Sequence, residues 1–434
     1  MNFQYKIKTS NRGLTFSFNH KYIKVATYYK YVISNKSKKI FIIKSEDKNG
    51  LKVSRKKIGN KPVYKSLIDL RNKKIKNTIK DGECLNIKLL DKSIIVEVKL
   101  KNNKDTTSQT IIRKINIASL FSGCGMLDYP FYLDDFFEIK IATDIMKDAC
   151  MSYRENIGNQ IKEMDIYDFK LSNNDNIDLV IGGIPCTPFS NANRSKDRVE
   201  RHKESDLVIE YIRIVTESGC KVFGIENVPS FITAKNGFYY DTLKECLNEF
   251  NIKHKIMKDC DYGGYTIRKR VFIVGSIIGE VEFEKEINEK HLVKEALSKV
   301  TSDWYNFNDI TKCKESSIEK MKYIPQGGNF KDIPEPIRGK GCHSNRYRRL
   351  NLNDLCCTLT NFRKSKILHP LYNRILSVAE ALALSGFNKN FKVVGSLNNK
   401  QQQVANGVPF ALGNALKNTI KNIFIKYQQR PCLN

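Results

Sequence analysis

Between residues 113 and 275 the chain alternates short apolar runs with amphipathic stretches. The runs Ile115 to Phe121, Phe137 to Thr143, Asp178 to Gly183, Lys221 to Ile225 and Val271 to Val274 are too short for helices and read as buried strands. Apolar positions at helical spacing fill the gaps, in stretches running to Tyr153, from Leu207 to Thr216 and from Asp241 to Phe250. Strands that alternate with helices predict an α/β fold with an open, doubly wound Rossmann-like sheet, which takes its ligands at the carboxyl ends of the strands. The flanks follow other rhythms. Residues 1–112 show the two-residue alternation of strands, as in Leu14 to Phe18, Tyr22 to Tyr28 and Ser93 to Lys99, and end in the polar linker Lys101 to Lys114. Residues from about Ser276 to Asn345 break the α/β rhythm with charged helical stretches, the lone Trp304 and a Gly-rich turn at Ile324 to Phe330, and read as an inserted module. In residues 371–434 a helix from Leu376 to Ser385 opens on the capping pair Ser377 and Glu380, and a last helix follows Pro409.

Charge changes the picture more than size does. The 434 residues carry a formal net charge of +28 with a pI near 9.5. A lysine-rich composition can reflect bias alone, yet a charge of this size attracts polyanions, and nucleic acid leads an anionic membrane surface as the expected partner. No stretch has the length of a membrane span, and the first residues, Met-Asn-Phe-Gln-Tyr-Lys, lack the apolar core of a signal peptide, so a cytoplasmic protein is expected. The 12 cysteines fall into no zinc spacing and are expected as free thiols without a structural metal.

Five places carry candidate chemistry. Asp178 to Ser190, reading Asp-Leu-Val-Ile-Gly-Gly-Ile-Pro-Cys-Thr-Pro-Phe-Ser, delivers Cys186 to the mouth of the sheet. Its glycines allow close approach and its proline stiffens the backbone, a usable geometry for a nucleophile, although an isolated Pro-Cys is more often inert. Phe121-Ser-Gly-Cys-Gly-Met126, with Asp144 ending the next strand, has the layout of a nucleoside-cofactor site in which the acid accepts from ribose hydroxyls; a plain tight turn is the alternative. Asp165 can accept from an adenine amino group or serve as a cap. Glu226, in Gly224-Ile-Glu-Asn-Val228, stands past a buried strand, where desolvation favours a proton-donating carboxyl group. Arg268 and Arg270 lie at strand spacing on one face and can hold an anionic oxygen, or sit idle on an edge strand.

In this order the fragments resemble the DNA cytosine-5 methyltransferase family, from about Ile115 to the end. Phe121-Ser-Gly-Cys-Gly is similar to its first cofactor motif, Gly183-Ile-Pro-Cys-Thr-Pro-Phe-Ser190 to its nucleophile motif, Glu226-Asn227-Val228 to its Glu-Asn-Val motif and Arg268-Lys-Arg270 to its Arg-x-Arg motif. Arg349-Leu350 with Thr358-Leu359 looks like the motif that organises the recognition domain, and Gln403 to Pro409 like the last motif, which folds back to the cofactor. The resemblance implies an S-adenosylmethionine-dependent sheet in residues 113–275, target recognition in 276–370 and a returning segment in 371–434, while residues 1–112 read from their own pattern as an accessory basic β-rich domain, which can bind DNA or merely pack on the rest. It implies Cys186, Glu226, Arg268 and Arg270 as catalytic residues. For S-adenosylmethionine and its product S-adenosylhomocysteine it implies Phe121, Gly123, Cys124, Gly125, Asp144, Ile145, Asp165, Ile166, Pro185, Leu207, Asn406 and Val408, with no metal. The implied reaction is attack of Cys186 on C6 of a flipped-out cytosine, with Glu226 at N3 and Arg268 on the carbonyl oxygen, followed by methyl transfer to C5.

The implied substrate is double-stranded DNA at one short sequence, for a monomer paired with a restriction endonuclease without stable complex. The competing readings are a tRNA cytosine-5 methyltransferase and a DNA-binding protein on a decayed scaffold. Met126 and Ala405 replace glycines usual in the resembled motifs, Thr187 replaces a common glutamine, and Thr266 replaces the glutamine before the arginines. These departures bear on cofactor geometry more than on the reaction class.

Overall fold

Ile115 and Ile117 on one face, with Ala118 and Leu120 on the other, begin a sheet packed on both sides. The computed structural model describes residues 114–172, 175–185, 207–287, 289–338 and 346–429, together with nine strands between residues 2 and 98. Those strands form all-antiparallel sheets. One has the order β1 (Asn2–Lys6), β8 (Cys84–Leu89), β9 (Ser93–Val98), β4 (Lys39–Ser45), β3 (Tyr28–Ser34), β5 (Leu51–Lys52); the other has β2 (Leu14–Asn19), β7 (Tyr64–Leu70), β6 (Ser54–Lys57). The strands expected at Leu14 and Ser93 are there; of the strand expected from Tyr22 to Tyr28, residues 22–27 lie outside the described residues and Tyr28 opens β3.

The α/β sheet has seven strands: β10 (Ile115–Leu120), β11 (Phe137–Asp144), β12 (Ile161–Glu163), β13 (Leu179–Gly183), β14 (Val222–Asn227), β15 (Asn251–Lys258) and β16 (Lys269–Ser276). Their order is β12-β11-β10-β13-β14-β16-β15, with β16 running antiparallel to both neighbours. The chain leaves β10 in one direction to β11 and returns on its other side with β13, so the crevice at the end of β10 is the sheet's switch point.

Successive side chains of a strand point to opposite faces, and the core follows that rule. Ile117, Leu179, Ile181, Val222, Phe272 and Val274 join one apolar cluster; Ala118, Leu120, Val180, Phe223, Ile225 and Ile273 join the other. The second face is covered by the helix Leu207–Ser218, whose buried Tyr211 hydroxyl lies 2.8 Å from Gly224 O and 3.1 Å from Val180 O. The first is covered by the C-terminal helix Phe410–Gln428 through Leu412, Leu416, Ile420 and Phe424. Each fully buried leucine or isoleucine contributes about 1.5–3 kcal/mol, so burial on both faces explains why these strands read as unbroken apolar runs.

The short strand β12, the edge strand β15 and the helix Leu397–Asn406 were not visible in the hydrophobic pattern. The helix expected from Asp241 to Phe250 runs instead from Phe238 to Cys246. The cap at Ser377 is present: Ser377 Oγ accepts from Glu380 N at 3.1 Å and Glu380 Oε2 accepts from Ser377 N at 2.8 Å.

Candidate active site

The carboxyl ends of β13 and β14 lie side by side, with Gly183 in register with Glu226. A Cβ at Gly183 would stand 3.3 Å from Glu226 Oε2, so the glycine leaves room for the carboxylate at the sheet's edge. Next along β14, Asn227 donates from Nδ2 to Ile184 O at 3.1 Å and accepts from Val228 N at 2.8 Å. Asn227 thus ties the end of its own strand to the segment that leads through Pro185 into Cys186. Pro185 is half-buried there. Cys186 and residues 191–205 lie outside the described residues.

Glu226 is 7% exposed and meets a cation: Arg270 Nε stands 2.7 Å from Oε1. Arg270 also donates from Nη1 to Lys269 O at 2.8 Å. Arg268 has another environment. It donates from Nη1 to Ala405 O at 2.9 Å and from Nη2 to Asn406 O at 3.3 Å, with Asp259 behind it. The sequence reading gave the anionic oxygen to Arg268. In the structure the guanidinium beside Glu226 belongs to Arg270, while that of Arg268 is engaged with the C-terminal segment.

Thr266 explains its own departure from the resembled motif. Its amide and hydroxyl both donate to Asp259 Oδ2, at 2.9 and 2.7 Å, and its hydroxyl accepts from Arg268 N at 3.3 Å. Burial pushes the Asp259 carboxyl up to about 6 against these bonds. Sequence reasoning missed Asp259, an isolated loop acid with no motif around it.

The cofactor loop is a sharp turn after β10. Phe121, Gly123 and Gly125 have φ of 54°, 55° and 87°. At Gly125 a Cβ would also meet Ile157 Cδ1 at 2.6 Å, whereas at Gly123 nothing stands within 4 Å of where a Cβ would be, so the loop has open space on that side. Asp144 closes the turn by accepting from Gly123 N and from Met146 N, each at 2.8 Å. Burial raises the Asp144 carboxyl above its usual range while these amides pull it down. Ile145, 65% exposed, stands beside it as a bare apolar surface. Across the crevice Asp165 accepts from Tyr167 N at 3.2 Å, and Ile166 is buried with Phe121 and Leu207 packed on the same cluster. Asn406 and Val408 follow on the C-terminal segment, exposed and buried respectively. Open space over Gly123, a carboxylate and an exposed aliphatic on one loop pair suit a nucleoside with ribose hydroxyls, so the residues fit S-adenosylmethionine. Cys124 is buried, and burial pushes its thiol up to about 12, which leaves it no nucleophilic role. Among the described residues no group of three or more His, Cys, Asp or Glu could hold a metal.

Strand order, the switch-point loop with its acid and the Glu226–Arg270 pair define an α/β methyltransferase. The chain matches the C-5 cytosine-specific DNA methylase family over residues 115–422, and it belongs to that family as a DNA cytosine-5-methyltransferase. It is 30% identical over 322 residues to the type II methyltransferase M.NgoFVII of Neisseria gonorrhoeae, covering 68% of this chain and 83% of that one. To the type II methyltransferase M1.HphI of Haemophilus parahaemolyticus it is 27% identical over 318 residues, covering 69% and 85%. A prophage-encoded DNA modification methyltransferase of E. coli has the same fold, with a TM-score of 0.60 at 20% identity over 72% of this chain and all of that one.

Proposed function

We propose that the protein methylates C5 of a cytosine in double-stranded DNA at one short sequence, through a covalent adduct of Cys186, and so protects DNA from a cognate restriction endonuclease. The observation that carries this is the Glu226–Arg270 pair, 2.7 Å apart at the carboxyl edge of the sheet, beside the strand that leads into Pro185 and Cys186. Cytosine C5 is a poor nucleophile until C6 takes an electron pair. Attack of the Cys186 thiolate forms the C6–S bond, and the ring electrons move toward C5 and N3. Glu226 holds the proton at N3, and Arg270 faces the neighbouring carbonyl oxygen, where its charge favours the polarised ring. Asn227 keeps the Ile184 end of the nucleophile segment in register with Glu226. When bound, S-adenosylmethionine supplies an electrophilic methyl group; Gly123, Asp144, Asp165 and the apolar surface of Ile145 would hold it. Loss of the C5 proton then expels the Cys186 thiolate. Because C6 is covered inside a duplex, the base must leave the stack to reach Cys186. The net charge of +28 supports a polyanionic substrate.

The test is methyl transfer from labelled S-adenosylmethionine to unmethylated DNA, with bisulfite sequencing, for the wild type and Cys186→Ala. Methylated cytosines in one sequence context, lost in the variant, are expected. A folded wild type that binds the cofactor and methylates no DNA would overturn the proposal.

A further inference from the structure

We propose that Met126 and Gly407 are a size-matched pair of positioning residues for the cofactor: the Met126 thioether takes the place of a side chain at 407 and so sets how closely the C-terminal turn lies on the loop from Phe121 to Gly125. This rests on the reading of that loop as the cofactor cradle. A Cβ built on Gly407 would stand 2.0 Å from Met126 Sδ, 2.8 Å from its Cε and 3.0 Å from its Cγ. Three successive atoms are involved, and Met126 is 2% exposed, so the side chain has no solvent into which to swing. The backbone offers no other reason for a glycine. Gly407 has φ −63° and ψ 158°, an extended conformation open to any residue, so it is the close approach of Met126 that excludes a side chain.

Neither partner is free to shift. Met126 follows Gly125, whose φ of 87° and tight fit against Ile157 hold the loop in place. On the other side, Arg268 grips the carbonyls of Ala405 and Asn406, and Ser152 Oγ lies 2.6 Å from Gln403 Oε1. The methionine that stands where the first motif usually has glycine therefore meets a glycine in the last. The close fit of the two residues carries Asn406 and Val408 to the cofactor loop at a fixed height. Arg268 serves the same end from beneath.

The experiment is calorimetric titration of the full-length protein with S-adenosylhomocysteine, without DNA, for the wild type, Gly407→Ala, Met126→Ala and the double variant. Gly407→Ala overpacks the contact and is expected to weaken binding about tenfold; Met126→Ala, which leaves a void, weakens it about threefold. The double variant, in which a methyl enters vacated space, binds more tightly than Gly407→Ala. In turnover the change appears in KM for the cofactor, with kcat at saturation and KM for DNA retained. Should Gly407→Ala fail to fold, recovery of folding and binding in the double variant supports the pair, and failure to recover overturns it. Wild-type affinity in Gly407→Ala, or a double variant weaker than Gly407→Ala, overturns it too. A wild type that binds no S-adenosylhomocysteine overturns the cofactor reading itself.

Discussion

Two arginines, one at the sheet's edge and one among residues 321–373, show how differently a buried cation can be used. Arg349 is 5% exposed and spends every donor on the protein: Nε on Ile324 O at 2.7 Å, Nη1 on His369 O and Tyr372 O at 2.9 and 2.8 Å, Nη2 on Met321 O and Asn373 Oδ1, both at 2.7 Å. The loop it grips is closed further by His369, whose Nδ1 accepts from Leu371 N and Tyr372 N at 3.0 and 3.2 Å. Burial pushes that imidazole down to about 4, so the ring works as a neutral acceptor. Arg270 makes one ion pair with Glu226 and one bond to Lys269 O, and among the described residues its Nη2 has no hydrogen bond. An arginine with all five donors consumed is architecture, whereas one with donors left beside a carboxylate is equipped for a ligand.

The sharpest break in that comparison is expected at the edge. Glu226→Gln keeps the shape and removes the acid, so methyl transfer should fall about 10²- to 10⁴-fold. Because Glu226 has one ionic partner at the rim, the urea midpoint should move far less than the turnover number. A variant that loses stability and activity in proportion would make Glu226 as architectural as Arg349.

Arg349→Met tests the other side. It leaves five acceptors without their donor, three of them on buried residues, and each buried group left unsatisfied costs about 1–3 kcal/mol. The measurement is equilibrium urea unfolding. Soluble protein should be scarce, and whatever folds should keep the per-molecule kcat, because no donor of Arg349 reaches the sheet's edge. A stable variant with altered kcat would move Arg349 to the functional side.

The sequence made these two regions legible to different degrees. The edge was readable because parallel strands buried on both faces leave unbroken apolar runs, and each run ends on the residue that matters: Gly183 before Pro185 and Cys186, Glu226 after Ile225. What the pattern could not resolve was the direction of the two arginines, since strand spacing puts Arg268 and Arg270 on one face but does not say what waits there. The carbonyls of Ala405 and Asn406 are far along the chain and sit on a helix, Leu397–Asn406, made mostly of polar residues, so it left no apolar stripe. Arg349 was found only as part of a resembled motif; its role depends on five acceptors spread from Met321 to Asn373, which no local period encodes.

Acids beneath the site give a pH test. Asp128 is fully buried under the cofactor loop, accepts from Tyr153 Oη–H at 2.9 Å, and burial pushes its carboxyl from 3.8 up to about 6. A raised folded value means that the native state holds a proton the unfolded chain has released, so this stabilisation is complete below about pH 4 and is lost as pH rises through about 6. Between pH 7.5 and 5 the wild type should therefore gain about 1–1.5 kcal/mol more than Asp128→Asn, measured by urea unfolding at both values. Equal gains would show that Asp128 keeps its charge when buried and belongs with the working groups at the edge.

The smallest effect is expected at Ser377, 1% exposed at the start of the helix Val378–Leu384. Its hydroxyl accepts one helix amide, that of Glu380, while Glu380 reaches back to Ser377 N and is itself gripped by Arg374, whose Nη1 and Nη2 stand 2.7 and 2.6 Å from its two oxygens. Ser377→Ala removes only the hydroxyl, so half of the capping box and the whole ion pair survive, and the loss should be about 1 kcal/mol. Thermal unfolding reads it, and kcat and the S-adenosylhomocysteine affinity should stay at wild-type values. The variant is informative because it is small: Glu380 is a carboxylate paired with an arginine, as Glu226 is, yet its bonds go to Ser377 N and Arg374 and fix the approach to one helix. If Ser377→Ala changed turnover, pairing alone could not separate a working carboxylate from a structural one, and the contrast between Arg270 and Arg349 would lose its footing.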